Sequence, residues 1–294
     1  MKNKFRIGTD PQFGFKYLKP IPSQKQLDEF YRRKYYRLSV APQIKRFMKG
    51  GAVARKEKAW YAKTLWTDVR DSLRRWKPKG QGRLLDIGAG TGDFARFMAQ
   101  NGWKVTAIEP SLAATQKALR SGVSMFPSIE AYEEEAGTGR FDVITFLNVL
   151  EHVPHPVAVL KHYASRLKKG GVLVAQVPND FSPLQLLAQK KLRKKPWWIF
   201  IPDHCNYFNA ASMRKIFRHL HFKELDCLSD FPMELFLLFG DNYIEDPQTG
   251  ARCHQKRVRF DTGLPASMRR SIYQSLSKVQ VGRNLLFFAR KGKA

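Results

Sequence analysis

Three glycines and two carboxylic acids carry the strongest chemical signal in this sequence. Asp86-Ile-Gly88-Ala89-Gly90-Thr-Gly92 follows a short apolar run and precedes a helical pattern, and Glu109 closes the next apolar run. Glycines at alternate positions let a backbone turn sharply and approach a ligand closely. The helix that follows offers N–H groups and the positive end of its dipole. A carboxylate at the end of the second strand can accept both hydroxyls of a ribose. A glycine loop alone says little. The second acid, at this spacing, turns it toward a nucleoside-bearing ligand.

A second set of side chains could move protons. His152 lies just beyond the buried apolar run Phe141–Leu147, at the edge of a sheet where ligands bind. Imidazole is the usual base near pH 7. His204 and Tyr207 follow the next apolar run and border the same side, whereas His155 sits between prolines. A purely structural reading of His152, as a hydrogen-bonding residue at a helix start, stays open beside the catalytic one.

These residues need a frame, and the spacing of apolar residues predicts it. Arg83–Ile87, Trp103–Ile108, Val123–Phe126, Phe141–Leu147 and Val172–Val177 read as strands. Helical patterns over Asp93–Gln100, Ser111–Arg120 and from Val157 to Gly170-Gly171 alternate with them. Near-continuous apolar strands alternating with helices mean a parallel sheet covered on both faces. Upstream, residues 1–23 read as an extended arm, followed by a helix Gln24–Arg37 and a helix Lys56–Trp76 ended by Pro78 and Gly80. Downstream, residues 179–207 break the rhythm. Asn209 caps a helix, Phe222–Leu228 and Asn284–Arg290 are strands, and residues 230–282 are irregular with some helix.

The GxGxG spacing, with its acid two residues ahead, resembles the first motif of class I S-adenosylmethionine-dependent methyltransferases; dinucleotide dehydrogenases show GxGxxG instead. Phe141 through Pro156 contains Leu150-Glu-His-Val-Pro-His-Pro, similar to the fourth-strand motif of the ubiquinone-biosynthesis-like branch, the methyltransferase domain 23 type. Leu167-Lys-Lys169-Gly-Gly-Val resembles the turn before strand five, with Lys169 where proline is common. Pro202-Asp-His204-Cys-Asn206-Tyr207-Phe208 resembles a segment found in many bacterial members, and His221 stands where glycine is usual. The resemblance covers residues 81–228. Pro20-Ile-Pro-Ser, Leu27, Phe30-Tyr31 and Tyr35-Tyr36 also resemble the region upstream of the core, without the cysteines of a zinc ribbon.

The resemblance implies a doubly wound α/β fold. Its Rossmann-like sheet has seven strands, the last antiparallel. Residues 1–80 form the N-terminal arm and helical cap. Residues 81–294 form the methyltransferase domain, with acceptor-side insertions at 179–207 and 230–282. It implies S-adenosyl-L-methionine as cofactor, bound by Asp86, Gly88, Ala89, Gly90, Gly92, Glu109, Pro110, Glu130 and Asn148, and His152, His204 and Tyr207 as catalytic residues. In that branch, acids and a histidine after strand four can hold a metal. Here position 148 is Asn, and one Glu with one His is a thin ligand set, so no metal is expected.

Charge bears on the acceptor. The net charge is +27, with 22 basic and 6 acidic residues in 1–80, 10 and 10 in 81–180, and 20 and 9 in 181–294. A neutral middle between basic flanks suggests an anionic acceptor, an anionic membrane surface or a nucleic acid, against the bland reading of a solvated basic surface. Lys190-Lys-Leu-Arg-Lys-Lys followed by Trp197-Trp-Ile-Phe fits first a lid whose aromatics pack on the core, then a peripheral membrane contact. The Arg252, Lys256, Arg257 and Arg259 cluster is expected at the same mouth. No DPPY-type motif follows strand four and no RNA-binding module is recognisable, which disfavours nucleic acid. Methyl transfer to O or N of a small-molecule, sugar or lipid-linked acceptor is the reading these features favour. An RNA methyltransferase and a non-catalytic partner keeping the fold are the alternatives. The chain starts without an apolar signal region and has three scattered cysteines, which fits a reducing cytosol.

Overall fold

The computed structural model describes residues 5–23, 25–27, 29–30, 51–76, 82–111 and 123–292. Most of the expected helix Gln24–Arg37, the helix after Ser111, and the breakers Pro78 and Gly80 lie outside these residues. The described chain begins with strands β1 (Arg6–Thr9) and β2 (Lys16–Lys19). They form a hairpin that pairs with β8 (Asn206–Tyr207), so the expected extended arm is part of a small three-stranded sheet. Aromatic residues of this hairpin explain why it folds back. Phe13 and Phe15 are buried, and Phe15 packs on Phe208 at 5.3 Å.

Two helices follow, α1 (Gly51–Lys63) and α2 (Leu65–Trp76). The single helix expected over Lys56–Trp76 breaks at Thr64, whose hydroxyl donates to the Trp60 carbonyl at 2.7 Å. The core unit then runs β3 (Arg83–Ile87), α3 (Asp93–Gln100), β4 (Lys104–Ile108), β5 (Ser124–Phe126), α4 (Ile129–Ala136), β6 (Phe141–Leu147), α5 (Pro156–Ala164) and β7 (Leu167–Pro178). Helix α5 ends earlier than expected, and Leu167 already belongs to β7; the glycines Gly170 and Gly171 lie within that strand. Register shifts opposite this stretch, between Phe141 and Val143. Further elements are α6 (Pro183–Leu192), α7 (Ala210–His219), β9 (Phe222–Ser229), α8 (Glu234–Leu238), α9 (Pro247–Gly263), α10 (Ala266–Lys278) and β10 (Asn284–Lys291).

The main sheet has seven strands in the order β5-β4-β3-β6-β7-β10-β9. The first five are parallel, and β10 runs antiparallel between β7 and β9. Strand residues alternate between the two covered faces. Leu285, Phe287 and Ala289 join a core with residues of α4, α5 and α7, while Leu286 and Phe288 join one with residues of α2, α3 and α10. Burying a side chain the size of Phe287 contributes about 2–3 kcal/mol, so both faces are committed. Asn209 caps α7 as expected, in a reciprocal pair with Ser212.

The region 230–282, expected to be irregular with some helix, holds three helices. Its helical stripe is hidden because charged residues occupy the inner face. Arg269 is buried on α10 and donates to Asp68 of α2 at 2.8 Å. Asp261 is buried on α9 and accepts from the Trp60 indole at 3.0 Å and from the Tyr273 hydroxyl. Paired charges of this kind can face inward because their hydrogen bonds are met.

Candidate functional site

The carboxyl ends of the parallel strands gather most of the expected residues. Gly88, Gly90 and Gly92 all have positive φ, 70°, 54° and 70°, which only glycine adopts without strain. Close approach is also real: a Cβ at 88 would lie 2.5 Å from Val149, while one at 90 would meet nothing within 4 Å. The loop is pinned at its start, with Gly88 and Ala89 donating their N–H groups to the Ile108 carbonyl at 2.8 and 3.1 Å.

Glu109 ties two strand ends together. Its carboxylate accepts from the Gly90 N–H at 2.8 Å and the Ser111 N–H at 2.9 Å. Burial raises its pKa, and the two backbone donors oppose that. Two N–H bonds leave further lone pairs on the carboxylate for ligand hydroxyls. Pro110 beside it is exposed. Asp86 is buried at the end of β3 and accepts a 2.6 Å hydrogen bond from the Thr145 hydroxyl of β6. Desolvation lifts its pKa to about 7, with Thr145 opposing and the Glu109 charge adding.

Asn148 follows β6 with φ 58°, exposed, its N–H donating to the Gln176 carbonyl at 3.1 Å. Glu130 is exposed in the first turn of α4, bonded locally at Ser128 and set toward His162 of α5 at 3.8 Å. Glu133 of the same helix is bridged by the Arg166 guanidinium at 2.8 and 3.0 Å. Lys58 of α1 reaches Asp93 in the first turn of α3 at 2.8 Å, so the N-terminal helices close over the helix that the glycine loop feeds.

The proton-handling candidates do meet. Leu150–His152 forms a single 3-10 turn after β6. His152 and His204 pack edge to face at 4.9 Å, and His204 lies 6.2 Å from the Tyr207 ring. The His152 Nδ1 is 2.8 Å from the Asp203 carbonyl, which fixes Nδ1 as the donor and puts the neutral ring's lone pair on Nε2. Glu151 is buried 3.8 Å from His152 Nε2, its pKa raised by burial and lowered by the imidazole. Tyr207 is buried and its hydroxyl pKa is raised by desolvation, so it stays protonated and can donate a hydrogen bond rather than take a proton. Glu151, His152 and His204 also bring one ligand-type atom each within 4.8 Å of one another, a fuller set than Glu151 and His152 alone.

Several groups at this edge went unread in the sequence. Asp180 lies two residues beyond β7 and Glu234 opens α8; both are buried. Asp180 follows the apolar run at the same sheet edge as Glu109 and Asn148, which is the signal the sequence carries for it. The expected lid does pack inward through Trp198, whose ring meets Phe181 at 5.5 Å, while Phe200 is exposed. The Arg252–Arg259 cluster does not supply the expected open basic mouth. Arg257 is buried against Asp230 at 2.7 Å, Lys256 pairs with Asp241 at 2.9 Å, and Arg252 lies 3.9 Å from Asp246.

The methyltransferase domain family matches residues 58–225. Ubiquinone biosynthesis O-methyltransferase from Xanthomonas axonopodis pv. citri (strain 306) is 39% identical over 111 residues, 36% of this chain and 46% of that protein. The protein of the same name from Sodalis glossinidius (strain morsitans) is 40% identical over 111 residues, 36% of this chain and 45% of that one. The chain thus spans less than half the length of these curated relatives. Among solved structures, a [4+2]-cyclase superposes with TM-score 0.55 at 17% identity, covering 93% of this chain and 98% of that one. Magnesium protoporphyrin IX methyltransferase from Synechocystis PCC 6803 superposes with TM-score 0.52 at 15% identity, covering 90% and 100%. Such distant likenesses show the fold, and one fold serves different chemistries.

Asp86 gives this site a measurable signature. Its pKa is higher folded than unfolded, so its contribution to stability is full below about pH 4 and is lost as pH rises through about 7. Asp86→Asn keeps an acceptor for Thr145 and removes the titration. Denaturant unfolding from pH 4 to pH 8 should show a decline in the parent that flattens in the variant by up to about 4 kcal/mol. Identical slopes in the two proteins would show that Asp86 ionises freely.

Proposed function

The chain belongs to the methyltransferase domain family, and from that premise we propose that it transfers the methyl group of S-adenosylmethionine to an oxygen or nitrogen of a small-molecule, sugar or lipid-linked acceptor. The observation that carries this is the joint placement of the Gly88–Gly92 turn and Glu109, with open space over Gly90. The residues fit the cofactor on that count. The turn admits a ligand against its backbone, and the unused lone pairs of Glu109 suit two ribose hydroxyls. Bound there, the cofactor supplies an electrophilic sulfonium methyl for in-line displacement. Ala89, Gly92, Pro110 and Asn148 border that position in this reading, and Asp86 supports the loop from below. Glu130 is turned to His162 of α5 and borders the cofactor from outside.

What remains for the chain is to orient the acceptor and take its proton. His152 is the base: the Asp203 carbonyl holds its tautomer, and buried Glu151 steadies the imidazolium once formed. His204 and Tyr207 orient the acceptor. A second reading is favoured by the cluster of Glu151, His152 and His204, which would hold a divalent ion and place its charge at the acceptor oxygen.

The outer surface supports an anionic or membrane-held acceptor. Lys190, Lys191 and Lys195 are exposed along and just after α6, beside exposed Leu186, Leu187 and Phe200. Basic residues interleaved with apolar ones suit an anionic lipid surface. Lys194 is taken up by Glu245 and contributes less. None of the helices among the described residues is long and apolar enough to cross a membrane.

Calorimetric titration with S-adenosylhomocysteine tests the cofactor site. Binding should be observed, and Glu109→Ala should weaken it by about 1–3 kcal/mol; unchanged affinity would remove Glu109 from the ribose. For the base, His152→Asn should lower kcat by about 10²-fold or more while leaving that affinity intact. Turnover that survives EDTA supports the metal-free reading, whereas loss restored by Mg²⁺ selects the second. For the rim, co-sedimentation with phosphatidylglycerol vesicles should fall as salt rises and the Debye length shortens below ~10 Å. Lys190→Glu with Lys191→Glu should reduce it further. Equal sedimentation with phosphatidylcholine would refute an anionic contact.

A further inference from the structure

Behind the basic rim, the wall next to His152 is acidic. Glu151, Asp180 and Glu234 are 1%, 3% and 2% exposed, and each has one carboxylate oxygen without a protein hydrogen-bond partner. They sit within electrostatic reach of one another: Asp180 feels both Glu151 and Glu234. Gln185 of α6 bonds to Glu234 and leaves its own carbonyl oxygen unmet. The Trp198 indole N–H completes the set, 4% exposed and likewise unmet, and the Tyr207 ring is 1% exposed. Tyr207 is coupled to Asp180, and Phe181 joins the rings of Trp198 and Tyr207 at 5.5 and 6.1 Å.

Buried polar atoms are nearly always hydrogen-bonded, and buried charges nearly always compensated. Unmet acceptors outnumber unmet donors here, so the missing partner is rich in N–H or O–H. Charge narrows it further. His152 faces Glu151, and Arg283 is the cation that acts on both Asp180 and Glu234. Two carboxyls share one guanidinium, which leaves room for one positive charge. An anion would meet carboxylates. Mg²⁺ or Ca²⁺ seated between Asp180 and Glu234 would want six or more oxygen ligands, and the indole N–H cannot serve as one. A protonated amine donates in three directions and is attracted by aromatic faces.

We propose that the acceptor carries a protonated amine close to the atom that is methylated, and that this amine is seated against Asp180 and Glu234, with the rings of Trp198 and Tyr207 as walls. The proposal rests on the methyltransferase reading and names its substrate class. Any anionic part of the acceptor then lies outward, at Lys190 and Lys191, and the acceptor is amphoteric or a cation held at an anionic surface.

Three phenols of matched shape and different charge test this: tyramine, 4-ethylphenol and 4-hydroxyphenylacetate. Their binding is read by tryptophan fluorescence and calorimetry, with and without saturating S-adenosylhomocysteine. Tyramine should bind about tenfold or more tighter than either other phenol, as a charge-assisted contact requires. Asp180→Asn with Glu234→Gln, both near-isosteric, should bring the three within about twofold while cofactor-product affinity stays at the parent value, and each single change should fall between. Equal or tighter binding of 4-hydroxyphenylacetate, no binding of any of the three, or a preference that survives the double change would overturn the proposal. Failure of the parent protein to bind S-adenosylhomocysteine, with the tyramine preference intact, would overturn the methyltransferase reading and leave the cationic seat standing.

Discussion

The carboxyl edge of the sheet is governed by what becomes of acids placed where water is scarce. Strands β3, β4, β6 and β7 are covered on both faces, so any carboxyl group at their ends must find a donor, keep its proton or wait for a ligand. Each acid takes one of these routes. Glu109 binds two backbone N–H groups and so fixes the glycine turn against the end of β4. Asp86 has the Thr145 hydroxyl and a pKa near neutrality. Asp180 and Glu234 retain unmet oxygens. The first two are satisfied within the chain, and the last two are the ones on which the proposed amine seat rests.

Legibility followed the same division. Residues whose role is written in backbone conformation could be read directly. Gly88, Gly90 and Gly92 occupy positive φ, and His221, read as standing in for a glycine, does adopt φ 58°. Alternating apolar runs located the parallel strands, because burial on both faces leaves no other composition. What escaped was structure stabilised by long-range polar pairing. The α9 and α10 helices turn Arg257, Asp261 and Arg269 inward, which breaks the apolar stripe by which a helix is recognised. The β1–β2 hairpin escaped because its third strand, β8, is about 190 residues away and only two residues long. Asp180 and Glu234 converge from separate elements, and no spacing in the chain announces that.

Net charge was misleading about place. The basic excess of the C-terminal segment suggested that the Arg252, Lys256, Arg257 and Arg259 cluster lies at the mouth with Lys190–Lys195. Much of it is spent internally, with Arg257 between Asp230 and Asp261 and Arg269 and Arg270 on Asp68. These cations tie α9 and α10 to α2 and to the end of β9, and a buried guanidinium so paired projects little field outward. Lys190 and Lys191 of α6 are exposed, on the far side of the helix from Gln185.

That arrangement gives α6 two electrical faces. Its buried face contributes an amide to an acid-lined interior, and its exposed face carries lysines and leucines to the surface. A potential that changes sign across one helix would draw a ligand in by its negative end and seat it by its positive end, orienting it before any contact with the reacting atoms. Orientation of this kind matters for methyl displacement, which demands that the attacking atom lie in line with the bond that breaks. The bulk positive charge and the buried acids are therefore not in conflict. In the proposed reading they form a gradient, with Asp180 and Glu234 at its inner end and Lys190 and Lys191 at its outer end.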